Sequence, residues 1–223
     1  MHTTTSEAPV ALLDSEEPYR LIVDGFVSPD ECARLVAFAD EHAIVGDGYG
    51  GNPHPHTPHE TFAGYSLDGR QGMTTEPGHL LALQVMERIR LHLKKHFRVP
   101  FLWIEYGHLV VREATGTGEA AEAEEFSHPW HFDNQAGHVK HRTHTSILYL
   151  NDGFEGGLTR FKETDFGPFR EVTPKAGTLI GFSVAENAHA VSKLRSGRRY
   201  VMNIWWSTHW SRWKRNRKVF RPL

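Results

Sequence analysis

The amino-acid sequence predicts a mainly β fold with flanking helices: a double-stranded β-helix, or jelly roll, whose larger sheet is braced by N-terminal helices. Three observations lead to this prediction. The chain of 223 residues is long enough for one well-buried domain. Helical periodicity is confined to the first hundred residues, and from Phe101 onward short runs rich in β-branched and aromatic residues alternate with glycine or proline turns. Helices first and strands later suit two sheets folded as a jelly roll.

The N-terminal part of the chain contains a short strand and two helices. Residues 1–18 are polar, and we expect a disordered tail. Residues 19–26 read as a strand, and residues 28–31, Ser-Pro-Asp-Glu, are a helix-start signal for a helix that ends near Ala43. Over residues 77–97 apolar side chains recur at helical spacing, which predicts a long amphipathic helix on the outside of a sheet.

The β part of the chain is predicted to be the jelly-roll core, from about residue 101 to residue 208, within a single domain over residues 19–208. A basic C-terminal tail over residues 209–223 follows it. Its predicted strands lie within residues 142–152, 154–161, 174–182 and 199–206.

The composition favours some classes of protein over others. A net charge of −2 gives no global attraction to nucleic acid or to an anionic membrane. The single cysteine, Cys32, excludes an intramolecular disulfide framework, fits a reducing compartment, and is expected to be a buried helix residue. The first fifteen residues lack the basic and apolar regions of a signal peptide, and no stretch is long enough to span a membrane. We therefore expect a cytoplasmic protein.

Two histidines and one aspartate are the candidate metal ligands. If the chain is extended from Trp130 to Asp133, the side chains of His131 and Asp133 point to the same side. His189, far along the chain, supplies a second imidazole. Two imidazoles and one carboxylate form the facial triad of non-haem Fe(II) oxygenases, which leaves three metal positions open. His138, His141 and His144 follow the triad carboxylate, and at most one of them is expected to face the cavity.

Several motifs resemble one known family. Over about residues 20–208 the sequence is similar to the prolyl-4-hydroxylase-like branch of the 2-oxoglutarate/Fe(II) dioxygenases. The matching segments are the opening Asp24–Cys32, His131-Phe-Asp133, Tyr149-Leu-Asn-Asp152, Gly156-Gly157, His189-Ala-Val and Ser196-Gly-Arg-Arg-Tyr200. The resemblance implies a hydroxylase that uses Fe(II), 2-oxoglutarate and O2, with ascorbate as a candidate reductant, and that releases succinate and CO2. Asp133 separates this chain from the related halogenases, which have a small residue in its place.

The resemblance also implies how 2-oxoglutarate would be held. Arg199, ten residues after His189, occupies the family's basic position for the far carboxylate, because a guanidinium pairs bidentately with a carboxylate. Arg198 faces the other way, so an error in strand register would exchange the two. Thr145 and Tyr149 are candidates for hydroxyl contacts to the cosubstrate, although Tyr149 also fits a core aromatic.

The substrate is left open by the sequence, and three interpretations compete. The first is a hydroxylase of a small molecule: a free or carrier-tethered amino acid or a secondary metabolite. The alternative is a protein or peptidyl hydroxylase, prolyl residues included, and the third is a non-catalytic metal-binding jelly roll that acts as a sensor. Candidate substrate contacts are Glu113, Trp130, Asn134 and Trp205. Glu113 stands where the resembled family usually has a tyrosine.

Two unusual segments are predicted to form a mobile cover over the substrate. Residues 54–60 are rich in histidine and proline, and residues 115–126 form an acidic insertion. Glu113, with Glu124 or Glu125, would then face a cationic group such as an amine. The alternative for the insertion is a solvated loop.

Residues 210–221, close to the C-terminus, are basic and aromatic. A solvated tail or a homodimer contact fits residues 210–221 better than nucleic-acid binding does, because the overall charge is close to neutral. We therefore expect neither a membrane nor a nucleic acid as partner. The expected partner is a small-molecule substrate, and a homodimer is an alternative use of the tail.

Overall fold

Two layers of β-sheet and two long helices build the fold. The structure, a computed structural model, describes residues 10–11, 17–46, 58–67, 75–116, 118–163 and 168–212. The helices are α1 (Pro29–His42), α2 (Pro77–His96) and the short α3 (Glu119–Glu122), and Trp210–Arg212 forms a 3-10 turn. The strands are β1 (Val10–Ala11), β2 (Arg20–Val23), β3 (Ile44–Val45), β4 (Glu60–Ser66), β5 (Trp103–Ala114), β6 (Phe126–His131), β7 (His144–Tyr149), β8 (Glu155–Gly156), β9 (Thr159–Lys162), β10 (Phe169–Val172), β11 (Leu179–Ser183), β12 (His189–Ser192), β13 (Leu194–Ser196) and β14 (Arg198–Ser207).

The strands form two main sheets. The major sheet has the order β2-β11-β7-β14-β5-β4-β3, and all of its pairs are antiparallel. The minor sheet has the order β1-β10-β9-β12-β6, and only its β1–β10 pair is parallel. Strands β13 and β8 form a separate two-stranded sheet. The predicted jelly roll with helices against its larger sheet is confirmed.

Both long helices begin and pack as their sequences dictate. Ser28 caps α1: its hydroxyl accepts a hydrogen bond from the Glu31 backbone, and the Glu31 carboxylate accepts one from the Ser28 backbone. The apolar stripe of α2 is buried. Leu93 of α2 lies against Gly181 of β11, where a Cβ atom would come within 2.3 Å of the leucine. Gly181 therefore allows the helix to approach the sheet closely.

The apolar core has two parts, one on each face of the major sheet. The first lies between the major sheet and the helices. The second lies between the sheets and combines residues of the minor sheet with residues of the major sheet: Val110, Ile147, Tyr149, Phe161, Val172, Ile180, Phe182 and Val201. The space inside the jelly roll is thus lined largely by apolar side chains.

The structure differs from several sequence expectations. Val10–Ala11 lies in the predicted disordered tail but forms a strand, because it pairs with Arg170 and Glu171 of β10. The strand expected over residues 19–26 is shorter, Arg20–Val23. Residues 54–57 and 213–223, parts of the predicted cover and of the basic tail, lie outside the described residues.

The predicted cover contains some regular structure where the structure describes it. Glu60, its last residue in the first segment, begins β4 and is buried. The second segment contains α3, whose Ala121 is buried, and Gly116 is tied to His59 by a backbone hydrogen bond. Movement of residues 115–126 over a bound substrate stays a prediction.

Two further expectations concern compartment and membrane. Cys32 is a buried residue of α1, as predicted, and burial raises the pKa of its thiol. Among the described helices, none is both long enough and apolar enough to cross a membrane. The cytoplasmic location and the single-domain boundaries stay predictions.

A buried histidine makes the fold sensitive to acid. His144 of β7 is 7% exposed and packs its ring on Phe97, and burial lowers its pKa to about 4. Below the ordinary histidine pKa of about 6.5 the unfolded chain binds a proton that the folded chain does not, so stability falls as pH drops from 6.5 to 4. The full loss is on the order of 3 kcal/mol at that shift.

We predict that urea unfolding will show about half of this loss between pH 7 and pH 5 and the rest below pH 5. His144→Gln should make the free energy of unfolding less dependent on pH than in the wild-type protein, whereas His138→Gln, at an exposed histidine, should not. An equal pH dependence in wild type and His144→Gln would contradict this assignment.

Candidate active site

The pairing of β6 with β12 creates the candidate metal site. His131, the last residue of β6, lies directly opposite His189, the first residue of β12, and their ring centroids are 4.2 Å apart. Asp133 follows in the turn after β6. Its carboxylate lies 3.5 Å from Nε2 of His131 and 3.6 Å from Nε2 of His189. One ligand atom from each of the three residues lies within 4.8 Å of the others.

Backbone carbonyls orient both imidazoles. Nδ1 of His131 lies 2.8 Å from the Pro129 carbonyl oxygen, and Nδ1 of His189 lies 3.2 Å from that of Asn187. A carbonyl only accepts hydrogen bonds, so each Nδ1 carries the proton. Each neutral ring therefore presents the lone pair of Nε2 toward Asp133.

The ionisation states of Asp133 and His189 suit the binding of a metal cation. Burial alone would raise the pKa of Asp133, but His189, His131 and a 2.6 Å hydrogen bond from Thr145 together hold it well below its usual range. Burial lowers the pKa of His189 to about 4, so this ring is neutral at physiological pH. Two imidazoles and one carboxylate are a donor set that fits Fe(II).

The other histidines near this segment lie elsewhere. His138 is exposed, His141 packs near His209, and His144 lies against Phe97 on the helix side of the major sheet. Of the histidines in the described part of the chain, the structure groups only the two predicted ones with an acidic residue in metal-binding geometry. The strand itself ends at His131 rather than at Asp133, yet the two side chains converge as predicted.

Arg199 places a positive charge inside the jelly roll. It is 3% exposed, its guanidinium lies 5.2 Å from the centroid of the Tyr149 ring, and its Nε donates a 3.0 Å hydrogen bond to the Gly157 carbonyl. Among the described residues, no ion pair includes Arg199. Arg198 is exposed and pairs with Asp40 and Glu113. The structure thus selects Arg199 as the buried cation.

The glycine pair before β9 makes room for this arginine. Gly157 has φ +64°, and a Cβ atom there would lie 2.8 Å from Cδ of Arg199. A larger residue would be strained by its backbone and would meet the arginine side chain. The Gly156-Gly157 motif of the sequence therefore serves the position of Arg199.

A second arginine beside Arg199 is already neutralised. Arg112 of β5 pairs with Arg199 in the strand register, and its Nη1 lies 3.1 Å from Oε2 of the buried Glu60. Glu60 also accepts hydrogen bonds from the Ser127 hydroxyl and, at 3.3 Å, from the Leu194 backbone. Burial lowers the pKa of Arg112, and Glu60 opposes that shift. Arg199 is left as the cation with no carboxylate beside it in this part of the structure.

The two predicted hydroxyl contacts have partners within the protein. Thr145 donates to Oδ2 of Asp133, so its hydroxyl holds a triad carboxylate rather than standing free for a cosubstrate. The hydroxyl of Tyr149 lies 2.6 Å from that of Thr159. Thr145 and Tyr149 lie four residues apart on one face of β7, roughly 13 Å at strand spacing. They mark the two ends of the space between the triad and Arg199.

An aromatic wall lies beside the triad. Trp205 of β14 pairs with Thr145 in the strand register, and Tyr106 stacks on it at 5.6 Å with parallel rings. The Arg142 guanidinium lies 4.3 Å from the centroid of the Trp205 ring. Nε1 of Trp205 and Oδ1 of Asn203 are buried and have no hydrogen-bond partner among the described residues. Trp205 therefore lies beside the triad, where a substrate contact stays a prediction.

Two other predicted substrate contacts are wrong. Trp130 lies on the outer face of the minor sheet, against Phe169 and Lys162, because side chains alternate along β6 and His131 points inward. Glu113 is exposed and bound to Arg198, on the opposite face of β5 from Arg112.

The remaining candidates have mixed outcomes. Asn134 is half-buried directly after Asp133, where a substrate contact stays a prediction. Glu125, predicted to face a cationic group of the substrate, binds Arg160 on the outer face of the minor sheet at 3.1 Å. His128, which sequence reasoning missed, stacks on the His131 ring at 3.8 Å. It lies three residues before His131, so strict alternation along β6 would have placed it on the opposite face, and the register shift in the β6–β12 pairing gave no signal in the sequence.

The fold and the site define the class of protein. The sequence profile of the 2OG-Fe(II) oxygenase superfamily matches residues 119–207, which include the triad and Arg199. The chain belongs to the 2OG-Fe(II) oxygenase superfamily and is prolyl-4-hydroxylase-like, as its motifs indicated. Proteins of this superfamily use Fe(II), 2-oxoglutarate and O2.

The chain is similar to individual proteins of known sequence and structure. The chain is 33% identical to prolyl 3-hydroxylase 1 of Mus musculus over 208 residues, which cover 84% of this chain and 28% of that protein. The chain therefore spans less than a third of the length of this relative. Among solved structures, a 2OG-Fe(II) oxygenase family oxidoreductase from Burkholderia pseudomallei has a TM-score of 0.63 at 16% identity, covering 91% of this chain and 97% of that one.

A second solved structure shows the same fold. The viral collagen prolyl hydroxylase of Paramecium Bursaria Chlorella virus-1 has a TM-score of 0.56 at 19% identity, covering 85% of this chain and 95% of that one.

We predict that Asp133→Ala will weaken Mn(II) binding, measured by calorimetry, by at least about a hundredfold. Loss of a group that only orients a metal ligand already weakens metal binding about tenfold to a hundredfold, and Asp133 is a ligand itself. His138→Ala, at an exposed histidine, should bind like the wild-type protein. Near-normal binding by a folded Asp133→Ala protein would show that the metal lies elsewhere.

Arg199→Ala should weaken the binding of 2-oxoglutarate to the Mn(II)-loaded protein by roughly two to three decades, the effect of removing one partner of a buried ion pair. Arg198→Ala is the matched control, because its side chain is exposed on the other face of β14. The reverse pattern would mean that the strand register is wrong.

Proposed function

We propose that this chain is a 2-oxoglutarate- and Fe(II)-dependent hydroxylase that acts on prolyl residues of a peptide or protein. The observation that carries the proposal is the 33% identity to prolyl 3-hydroxylase 1 over 84% of this chain, together with a complete triad and a buried arginine. Because the chain matches only 28% of that relative, the substrate is inferred from the domain the two proteins share.

The triad residues each have a defined task in this proposal. His131, Asp133 and His189 hold Fe(II), which together with 2-oxoglutarate supplies the activation of O2. The Thr145 hydroxyl fixes one oxygen of Asp133, and the backbone carbonyls keep Nε2 of both rings turned to the metal. These contacts would hold the three side chains on one side of a bound metal, which would leave its other side for cosubstrate and O2.

Arg199 sets the orientation of 2-oxoglutarate. Its guanidinium lies in an apolar interior, where an unmatched charge is costly and a carboxylate partner is strongly favoured. Glu60 already forms an ion pair with Arg112. Arg199 is therefore the cation that can pair with the far carboxylate of the cosubstrate. The keto-acid end is then directed toward the triad along the face of β7.

The apolar lining keeps water away from the reacting groups. Ile147, Phe161 and Phe182 are buried around the space between the sheets, and the Phe182 ring lies 4.8 Å from that of His189. Exclusion of water strengthens electrostatic contacts inside the site and limits side reactions of the oxidant.

The wall beside the triad suits a prolyl substrate. Trp205, with Tyr106 stacked on it, adds an aromatic side chain to the wall that a proline ring could contact at its edge. Free amino acids and other small molecules stay the alternative, because no contact in the site is specific to a peptide. The relatives favour the peptidyl substrate over the small-molecule substrate that the sequence analysis expected.

The decisive experiment compares a proline-containing peptide, the same peptide with alanine in place of proline, and free L-proline, each with Fe(II) and 2-oxoglutarate. We expect succinate release and a mass gain of one oxygen atom for the proline peptide alone. Amino-acid analysis of the product then identifies the ring carbon that is hydroxylated. Turnover of free proline but not of the peptide would restore the small-molecule interpretation.

A further inference from the structure

We propose that the side-chain amide of Asn203 donates a hydrogen bond to the keto-acid end of 2-oxoglutarate, the end that faces the metal ligands. The inference rests on the proposed function and deepens it, because it adds a second polar contact for the cosubstrate. Arg199 would then hold one end of the molecule and Asn203 the other.

Strand alternation places Asn203 in the space between the two sheets. Its neighbours Met202 and Ile204 belong to the apolar core on the helix side of the major sheet. Val201, two residues earlier, belongs to the core between the sheets. Side chains two apart on a strand point to the same face, so Asn203 faces the interior together with Val201.

Strand pairing sets the level of Asn203 within this space. Two residues further along β14, Trp205 pairs with Thr145, whose hydroxyl binds the triad carboxylate. Asn203 itself pairs with Ile147, one step from that level toward Arg199. The side chain of Asn203 therefore lies between the metal ligands and the buried cation, where an elongated dicarboxylate would extend from one to the other.

The amide of Asn203 has no hydrogen-bond partner within the described part of the chain. Its Oδ1 is the buried end, and Nδ2 is the end that a ligand in the interior can reach, since the side chain is partly exposed. Ile147 and Val201 beside it are apolar. Because polar groups in such surroundings are nearly always paired, this amide calls for a ligand.

The chemistry of the amide matches the keto-acid end of the cosubstrate. An amide nitrogen carries two N–H donors, whereas an ionised keto acid presents acceptor oxygens only. A hydrogen bond from a neutral donor to a carboxylate is charge-assisted, and it brings no second buried charge into the interior. Asn203 therefore complements the end of 2-oxoglutarate that Arg199 does not contact.

The first test measures 2-oxoglutarate binding to the Mn(II)-loaded protein by calorimetry. Asn203→Leu, which removes the amide at similar volume, should weaken binding by about tenfold to a hundredfold. Asn203→Asp replaces the donor with an acceptor beside a carboxylate and should weaken binding further. Met202→Leu, on the helix side of β14, is the matched control and should bind like the wild-type protein. Unchanged affinity in either Asn203 variant would overturn the inference.

Thermal unfolding of the ligand-free protein separates this role from a structural one. Asn203→Leu removes an unpaired buried oxygen, so its unfolding midpoint should not lie below that of the wild-type protein. A lower midpoint would mean that the amide stabilises the fold and that any weaker binding is indirect, which would contradict the inference.

A second keto acid identifies the end of the cosubstrate that Asn203 contacts. 2-Oxopentanoate keeps the keto-acid end and has a methyl group in place of the far carboxylate. Its binding is followed by displacement of water from Mn(II), measured through proton relaxation. Asn203→Leu should bind it more weakly than the wild-type protein, whereas Arg199→Ala should bind it equally well. Equal binding by Asn203→Leu and the wild-type protein would refute a contact at the keto-acid end.

The peptide assay keeps this inference separate from the proposed function. Asn203-dependent binding of 2-oxoglutarate without hydroxylation of any proline peptide would refute the proposed substrate and support the inference. Hydroxylation of the proline peptide with unchanged cosubstrate affinity in Asn203→Leu would leave the function standing and refute the inference. A higher KM for the peptide in that variant, with unchanged cosubstrate affinity, would assign the amide to the substrate and refute it equally.

Discussion

The structure depends on one strand pairing, that of β6 with β12 at the edge of the minor sheet. It sets His131 beside His189, and the turn that follows brings Asp133 between them. The opposite sheet contributes Thr145, which holds the Asp133 carboxylate across the interior. A metal bound here would therefore link the two sheets of the jelly roll. Its coordination geometry would depend on how closely the two sheets pack against each other. The apolar residues between the sheets supply that packing.

Charge is the second constraint on the interior. Two arginines lie side by side in an environment where an unmatched charge is costly. Glu60 neutralises Arg112 and ties it to β6 and β13 through Ser127 and Leu194. Arg199 has no such partner, and Gly157 opens the space that its side chain occupies. The result is a polar asymmetry within an apolar barrel: a triad at one end and a lone cation at the other.

The sequence predicted those site residues whose relative positions are determined by spacing within one strand. Two-residue spacing placed Asp133 with His131, and alternation along the last strand separated Arg199 from Arg198. The same alternation could have excluded Trp130 and Glu113, whose neighbours point inward. The Glu60–Arg112 pair could not be predicted, because residues 52 positions apart meet only through the register of β4 and β5. The extra residue Glu105 in the pairing of β5 with β14 is likewise a property of strand pairing rather than of composition.

The most direct test of this account is an anaerobic crystal structure with Mn(II) in place of Fe(II) and with 2-oxoglutarate. The account predicts Mn(II) on Nε2 of His131, Nε2 of His189 and a carboxylate oxygen of Asp133, with the far carboxylate of the cosubstrate on Arg199. A metal bound by His128 or His138 without the triad, or a far carboxylate bound away from Arg199, would contradict it.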